Sequence, residues 1–511
     1  MKSTTTLSVA AALLSGSAEA FWRMPCHSRT AFLRLDPIVD PGIASSHGHV
    51  IHGGSNFGES TTYEDLRASN CSSCQFSDDK SAYWTPSLHF AHTNGKTEVV
   101  PQIGGMLAYY LLLGDDIQPF PEGFEVLAGD SRLRNFSGPV PDPPTSAWDA
   151  EDMSQLSLGQ KSLGFNCLNY DRAPEGSRYR HFMPDKDYLD ANCANGIRAE
   201  IFFPSCWNGK DVKSDDHKSH VAYPNLIDGG KCPEGYETRL PSLFYETIWN
   251  TYAFKGKDGQ FVWSNGDPTG YGYHADFING WNTDTLRSAV NDCTNPSGRV
   301  EDCQHFTPSL QTEAEQGECK IEDIPTALLN DDCGGPSNGL CGNVPVQYGP
   351  EYATELQAGA TDKPTGGVSI TSVAPVPTQS YAPARSKITD KWGGGISVYN
   401  VKTTAVPGPQ NTDSLVVAAP SKPASSAPTK PASSAPTKPA SSAPVAPAVT
   451  PSPSLTDAVN PSGNIITTKI YTEGNVVYEI AIEEVIIYTT VDAAYRKARR
   501  HAHAHRRREM H

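Results

Sequence analysis

All twelve cysteines of this 511-residue chain lie between Cys26 and Cys341, and that confines the compactly folded part to the first two thirds of the sequence. An even set of cysteines in one stretch is expected to form structural disulfides. Seven precede Asp292 and five follow it. If all twelve pair, at least one disulfide crosses that point and ties the 293–341 stretch to the rest. Cys71-Ser-Ser-Cys74 has the spacing of a redox pair or a metal knuckle, but no second such pair accompanies it. Structural disulfides are therefore the expectation there too.

Disulfides need an oxidising compartment, and the chain opens with a matching address. Met1–Ala20 reads as a secretory signal peptide: Lys2, an apolar run from Leu7 to Leu14, and small residues at Ala18-Glu-Ala20. That run is too short to cross a bilayer, and no later stretch is long enough. A secreted, extracellular protein is expected, without a membrane span. Asn70-Cys-Ser and Asn135-Phe-Ser are glycosylation acceptor sequences, so both are expected at the surface.

The formal net charge is −16, which argues against nucleic acid as the main domain's partner, because phosphate contact needs a basic face. Residues 496–511 reverse the sign locally, with Arg and His crowded from Arg496 to Arg508. Such a tail suits an anionic polymer or surface.

Residues 21–349 are read as a cysteine-rich globular domain. Short segments rich in aromatic and β-branched residues recur between Gly, Pro, Asn and Asp: 96–101, 106–113, 124–128, 197–203 and 260–263. Residues 283–290 are the better helix candidate, with Thr283 or Asp284 as cap. The expected fold is mostly β, with α+β as the variant: a disulfide-stabilised β-sandwich or jelly-roll with long loops. Residues 350–460, rich in Pro, Ala, Ser and Thr and repeating Lys-Pro-Ala-Ser-Ser-Ala-Pro, read as a disordered stalk. Residues 461–495 form a β-hairpin module, with strands at 465–471 and 476–482 around Thr472-Glu-Gly-Asn475 and a third strand at 485–491.

Polar chemistry concentrates in three blocks: Ser46-His47-Gly-His49, the 205–224 stretch with His217, His220 and Tyr223, and the 264–281 stretch with His274 and Asp276. His47 and His49 are two apart, which puts both imidazoles on one face of a strand; His274 and Asp276 repeat that spacing. A third ligand from elsewhere would complete a divalent-metal site with an open position, drawn from His47, His49, His274 and Asp276. Trp84, Trp207, Tyr223, Trp249, Trp263, Tyr271, Tyr273 and Trp281 lie beside these blocks. Aromatic faces stack on sugar rings while Asn, Asp and Arg bond the hydroxyls, so a polysaccharide or cell-wall glycan is the expected partner. A glycoside hydrolase needs two carboxylates, for which Glu246, Asp267 and Asp276 are candidates. A polysaccharide lyase needs a base and an acid, for which His220 with Tyr223, or His274 with Tyr273, would serve.

Several blocks also resemble a known family. Asp36-Pro-Ile-Val-Asp-Pro-Gly42 before Ser46-His-Gly-His49, Cys71-Ser-Ser-Cys74 before Asp79-Lys-Ser-Ala-Tyr-Trp84, Phe120-Pro-Glu-Gly-Phe124 and the two later histidine blocks are similar to the fungal secreted domain-of-unknown-function family numbered nineteen-ninety-six. The resemblance covers about Phe21 to Gly280. It implies a secreted fungal protein acting at a cell wall or on host polymer, and it supplies no catalytic residues. Two readings follow from the residues: a polysaccharide-active enzyme with its cleft built from the three blocks, or a non-catalytic glycan-binding protein fixed in the matrix by stalk and hairpin. A metal-binding extracellular protein is the further alternative.

Overall fold

The computed structural model describes residues 20–359 and 366–370, and the backbone of 465–473 and 476–483. The signal segment to residue 19, the basic tail, the third hairpin strand and nearly all of the expected stalk lie outside the described residues.

Two five-stranded antiparallel sheets form the body. One runs Ala20–Cys26, Gln102–Leu112, Ser242–Trp249, Ile197–Phe202, Leu163–Cys167 in spatial order. The other runs Ala31–Leu33, His49–Gly53, Ala82–Pro86, His274–Ile278, Glu125–Gly129. Strand alternation explains how they pack. Met106, Ala108 and Tyr110 of the first sheet share one core with Tyr83, Val126, Ala128, Ala275 and Phe277 of the second. Across this interface the Tyr83 and Tyr110 hydroxyls lie 2.7 Å apart, and the Tyr245 hydroxyl donates to the Asp276 carbonyl at 3.2 Å. The result is a mostly β sandwich, as its short aromatic-rich strands imply. Each fully buried Phe, Leu or Ile in it contributes roughly 1.5–3 kcal/mol.

A three-stranded sheet of Gly259–Trp263, Leu88–His92 and Thr97–Val99 extends the same core through Leu88, Phe90, Phe261 and Trp263. Helices are few. Thr283–Asp292 is capped one residue earlier than expected: the Asn282 side chain accepts from the Thr285 N–H. Asn at that position satisfies an orphan donor without entering the helix.

All twelve cysteines pair, as Cys26–Cys74, Cys71–Cys319, Cys167–Cys193, Cys206–Cys232, Cys293–Cys303 and Cys333–Cys341. Cys71–Cys319 is the bond that crosses Asp292. Cys71 and Cys74 take different partners, so they form no redox pair. Packing continues past residue 349, where the stalk was expected to begin. Ala353 and Val368 are buried, and their N–H groups donate to Arg132 O and Gly95 O at 2.8 and 2.9 Å. These residues belong to the larger compact unit; the hairpin belongs to a second unit. In the hairpin, Ile465–Glu473 pairs antiparallel with Val476–Glu483. Among the described residues, no helix is long and apolar enough to cross a membrane.

Candidate functional site

The second sheet has an inner face in the main core and an outer face over a smaller one. On strand His274–Ile278, Ala275 and Phe277 point inward, so alternation turns His274, Asp276 and Ile278 outward. On strand His49–Gly53, Val50 is inward, and His49 and Ile51 are outward by the same rule. Asp276 lies opposite Trp84 and Leu127, His274 opposite Gly129, and His49 opposite Pro86. His47, just before its strand, folds over this face, and Asp36 reaches it from the preceding loop. Gly129 is required by this packing. Its φ is +82°, and a Cβ there would lie 2.5 Å from Tyr273 O and 3.2 Å from the His274 Cβ.

The side chains converge. His47, His49 and His274 place one ring nitrogen each within 4.8 Å of one another, and Asp36, His49 and Asp276 place one donor atom each within the same span. All five are buried. Hydrogen bonds define the tautomers. His49 Nδ1 lies 3.0 Å from Leu35 O and His274 Nδ1 2.9 Å from Gly272 O. A carbonyl only accepts, so each Nδ1 carries the proton and each Nε2 a lone pair. His47 Nε2 then donates to His274 Nε2 at 3.0 Å, and its Nδ1 accepts from the Ser46 hydroxyl at 3.0 Å. His49 Nε2 has no hydrogen-bond partner. Asp36 accepts from the N–H groups of Ile38 and Val39. Neither oxygen of Asp276 finds a donor.

Burial dominates the electrostatics, because a charge inside a low-dielectric core is poorly solvated. It holds His47 and His49 well below the usual imidazole range, with repulsion from His49 and His274 adding to it at His47 and from His274 at His49. Burial pushes His274 down to about 4. The carboxyls move the other way: burial takes Asp36 up to about 7 and Asp276 well above its ordinary value, and Asp36 adds repulsion at Asp276. At neutral pH the centre is three neutral imidazoles beside two carboxyls that resist ionisation.

Asp36, His47 and His274 also line a pocket of about 100 Å³. One water needs roughly 10–15 Å³ by this kind of measure, so there is room for several waters or part of a sugar ring. The rest of the lining is mixed: Arg132, Asn265, Gln347, Thr354 and Glu355 bring polar groups, and Val39, Leu127, Ala353 and Leu356 bring apolar ones. His49 and Asp276 are not part of the lining.

Residues 36–281 match the model of a family described as a domain of unknown function, DUF1996. The chain belongs to that family. No curated protein and no solved structure matches it.

The DUF1996 segment begins at Asp36 and contains all five residues of the centre. The second wall of the pocket, with Gln347, Thr354 and Glu355, lies beyond it. Arginine side chains of the segment hold that wall by its backbone carbonyls: Arg132 Nε donates to Ala353 O at 2.7 Å, and Arg134 Nε to Gln347 O at 2.8 Å.

The structure thus brings His47, His49, His274 and Asp276 together, and adds Asp36. Sequence reasoning used Asp36 only as part of a family block; that position was the one signal available for it. The other candidates lie elsewhere. The His217 carbonyl accepts from Leu127 N at 3.2 Å, which lays the 214–220 loop along the edge strand, and Lys218 Nζ donates to Gly129 O at 2.6 Å. The His220 ring packs against Phe124, its Nδ1 3.0 Å from the Ser214 hydroxyl. Tyr223 is buried on the outer face of the other sheet with Tyr109 and Phe244, where its hydroxyl donates to Phe202 O at 2.9 Å. Glu246 lies there too. It accepts from the Tyr109 hydroxyl at 2.7 Å and pairs with Arg198 at 3.3 Å. Burial raises its pKa, and the Arg198 charge opposes that. The Asp267 carboxylate accepts from Thr269 N and Gly272 N at 2.7 Å each, which shapes the turn before His274. The aromatic set forms no shared platform: Trp84, Trp249, Trp263, Tyr273 and Trp281 are fully buried, Tyr223 and Tyr271 nearly so, and Trp207 alone of the eight is half-buried, its indole N–H donating to Asp211 O at 2.7 Å. Large aromatic faces contribute more to a sandwich core than they would exposed.

Proposed function

We propose that this protein is an extracellular polysaccharide-active enzyme, a hydrolase or lyase, whose reaction takes place in the pocket over His47, His274 and Asp36. The observation that carries the reading is an open pocket floored by a buried cluster of titratable groups. Perturbed carboxyls and imidazoles in a cleft are what proton-transfer chemistry needs. Asp36, at about 7, can exchange a proton near neutral pH, where such a group is most useful as an acid or base. The lining supports a polyhydroxylated substrate, because Arg132, Asn265, Gln347, Thr354 and Glu355 offer donors and acceptors of the kind that sugar hydroxyls bond. Six disulfides support the extracellular setting, as does the resemblance of residues 1–20 to a signal peptide.

Burial of seven of the eight aromatics, all but the half-buried Trp207, argues against the non-catalytic alternative, since a glycan-binding surface would keep such rings exposed. Mass spectrometry of products from the full chain incubated with fungal, plant and bacterial polysaccharides tests the reading. Oligosaccharides that have gained water mean hydrolysis, and unsaturated ones mean elimination. Retention on one polymer without release of any product would overturn the enzyme in favour of the binder.

A further inference from the structure

Asp276 is fully buried, and neither of its oxygens has a hydrogen-bond donor. An ionised carboxylate placed so costs several kcal/mol unless a positive charge accompanies it. His49 Nε2, its lone pair free, is buried and unpartnered beside it. His49 and His274 each anchor Nδ1–H on a backbone carbonyl, which is how metal-ligating imidazoles are commonly held. The remaining contact, His47 Nε2 to His274 Nε2, is 3.0 Å. Two nitrogens bound tetrahedrally to one zinc ion stand about 3.3 Å apart, so a small opening of this pair admits an ion.

We propose that the outer face of the second sheet binds one divalent transition-metal ion of the zinc class. His47, His49 and His274 supply nitrogen ligands, and Asp276, with Asp36 beside it, supplies the compensating negative charge. Imidazole donors favour zinc and its neighbours over magnesium or calcium, which prefer oxygen. The pocket side of His47 and His274 leaves a coordination position facing the substrate space. For what the ion does in a reaction, this rests on the enzyme reading; for its binding, it does not.

The test uses the full chain, stripped with a chelator and titrated with zinc by calorimetry, with metal content measured in parallel. A second sample carries H501A, H503A and H505A, so that tail histidines do not contribute. One tightly held zinc per chain is expected in both. H49Q/H274Q should lower its affinity at least a hundredfold, and magnesium should not compete. Cobalt in place of zinc should give the intense visible absorption of a four-coordinate, nitrogen-ligated ion. No stoichiometric zinc in a stripped chain with native circular dichroism overturns the proposal, as does unchanged affinity in H49Q/H274Q. If that variant fails to fold, the cobalt spectrum of the tail variant decides, and its absence overturns the site. Zinc bound without turnover on any polysaccharide would leave the site standing and sink the enzyme reading; turnover unaffected by stripping would remove the ion from the reaction.

Discussion

Replacing Asp276 by Asn should stabilise the metal-free protein while damaging its site. The wild-type carboxyl is fully buried without a donor, and burial holds its pKa well above the ordinary carboxylate value, with Asp36 repulsion adding to it. A raised folded-state pKa means that stability is fully present below the unfolded value, near 4, and is lost as pH rises through the folded value. Asn does not titrate, so the variant escapes that loss. Asn is itself buried and polar, so the gain comes from titration: each pH unit between the unfolded and folded values costs the wild type about 1.4 kcal/mol, and a gain of about 1–3 kcal/mol is expected at pH 8 in chelator. The gain should shrink steadily as pH falls to 5, and vanish only below about 4, where the wild-type carboxyl is protonated on both sides of the equilibrium. Urea denaturation of both proteins at pH 5, 6.5 and 8 reads this directly. A variant less stable than wild type by 3 kcal/mol or more, or a difference that does not grow with pH, would refute the reasoning, because Asp276 would then be making favourable contacts as an anion.

Asp331→Asn should cost about 3–5 kcal/mol in the same denaturation assay, because Arg34 is wholly buried against Asp331 with contacts of 2.6 and 2.8 Å and would lose its countercharge; a cost below 1 kcal/mol would deny that pair its role in joining the stretch just before the family segment to the one after it. His52 is buried with its pKa pushed down to about 4, chiefly by burial. Its neutral folded form therefore loses stability as pH falls from 6.5 toward 4, by about 3 kcal/mol, and His52→Gln should flatten that part of the profile; an unchanged slope would contradict it.

How much was legible in the sequence depended on whether a residue's partner was local. Two-residue spacings were informative: His274 and Asp276 share an outer face because strands alternate, and so do Ala199, Ile201 and Phe203 on the inner face of the other sheet. The polar face of that strand was not legible. Arg198 and Glu200 take the opposite face, yet both are buried, since a strand far along the chain brings Glu246 opposite Glu200. Aromatics beside polar blocks read as a sugar platform because nothing local tells an exposed Trp from one that closes a core. Tyr223 and Glu246 failed to join the site for a topological reason: their strands and loops belong to the outer face of the first sheet, and the centre sits on the outer face of the second. Asp36 joined it without any spacing signal, because its loop returns to His49 through tertiary contact alone. The end of the compact unit was misplaced since Ala353 and Val368 are single buried residues in a stretch of stalk-like composition.

Oligosaccharide release by paired variants tests the central assignment most directly. His274→Gln removes a ring from the pocket wall, and Tyr223→Phe removes a hydroxyl from the opposite sheet. On the polymer the wild type cleaves, the account predicts loss of release by a hundredfold or more for His274→Gln and retention within a fewfold for Tyr223→Phe, with both variants folded by circular dichroism. Retained release in His274→Gln, or loss confined to Tyr223→Phe, would contradict it and move the reaction away from the His47, His49 and His274 centre.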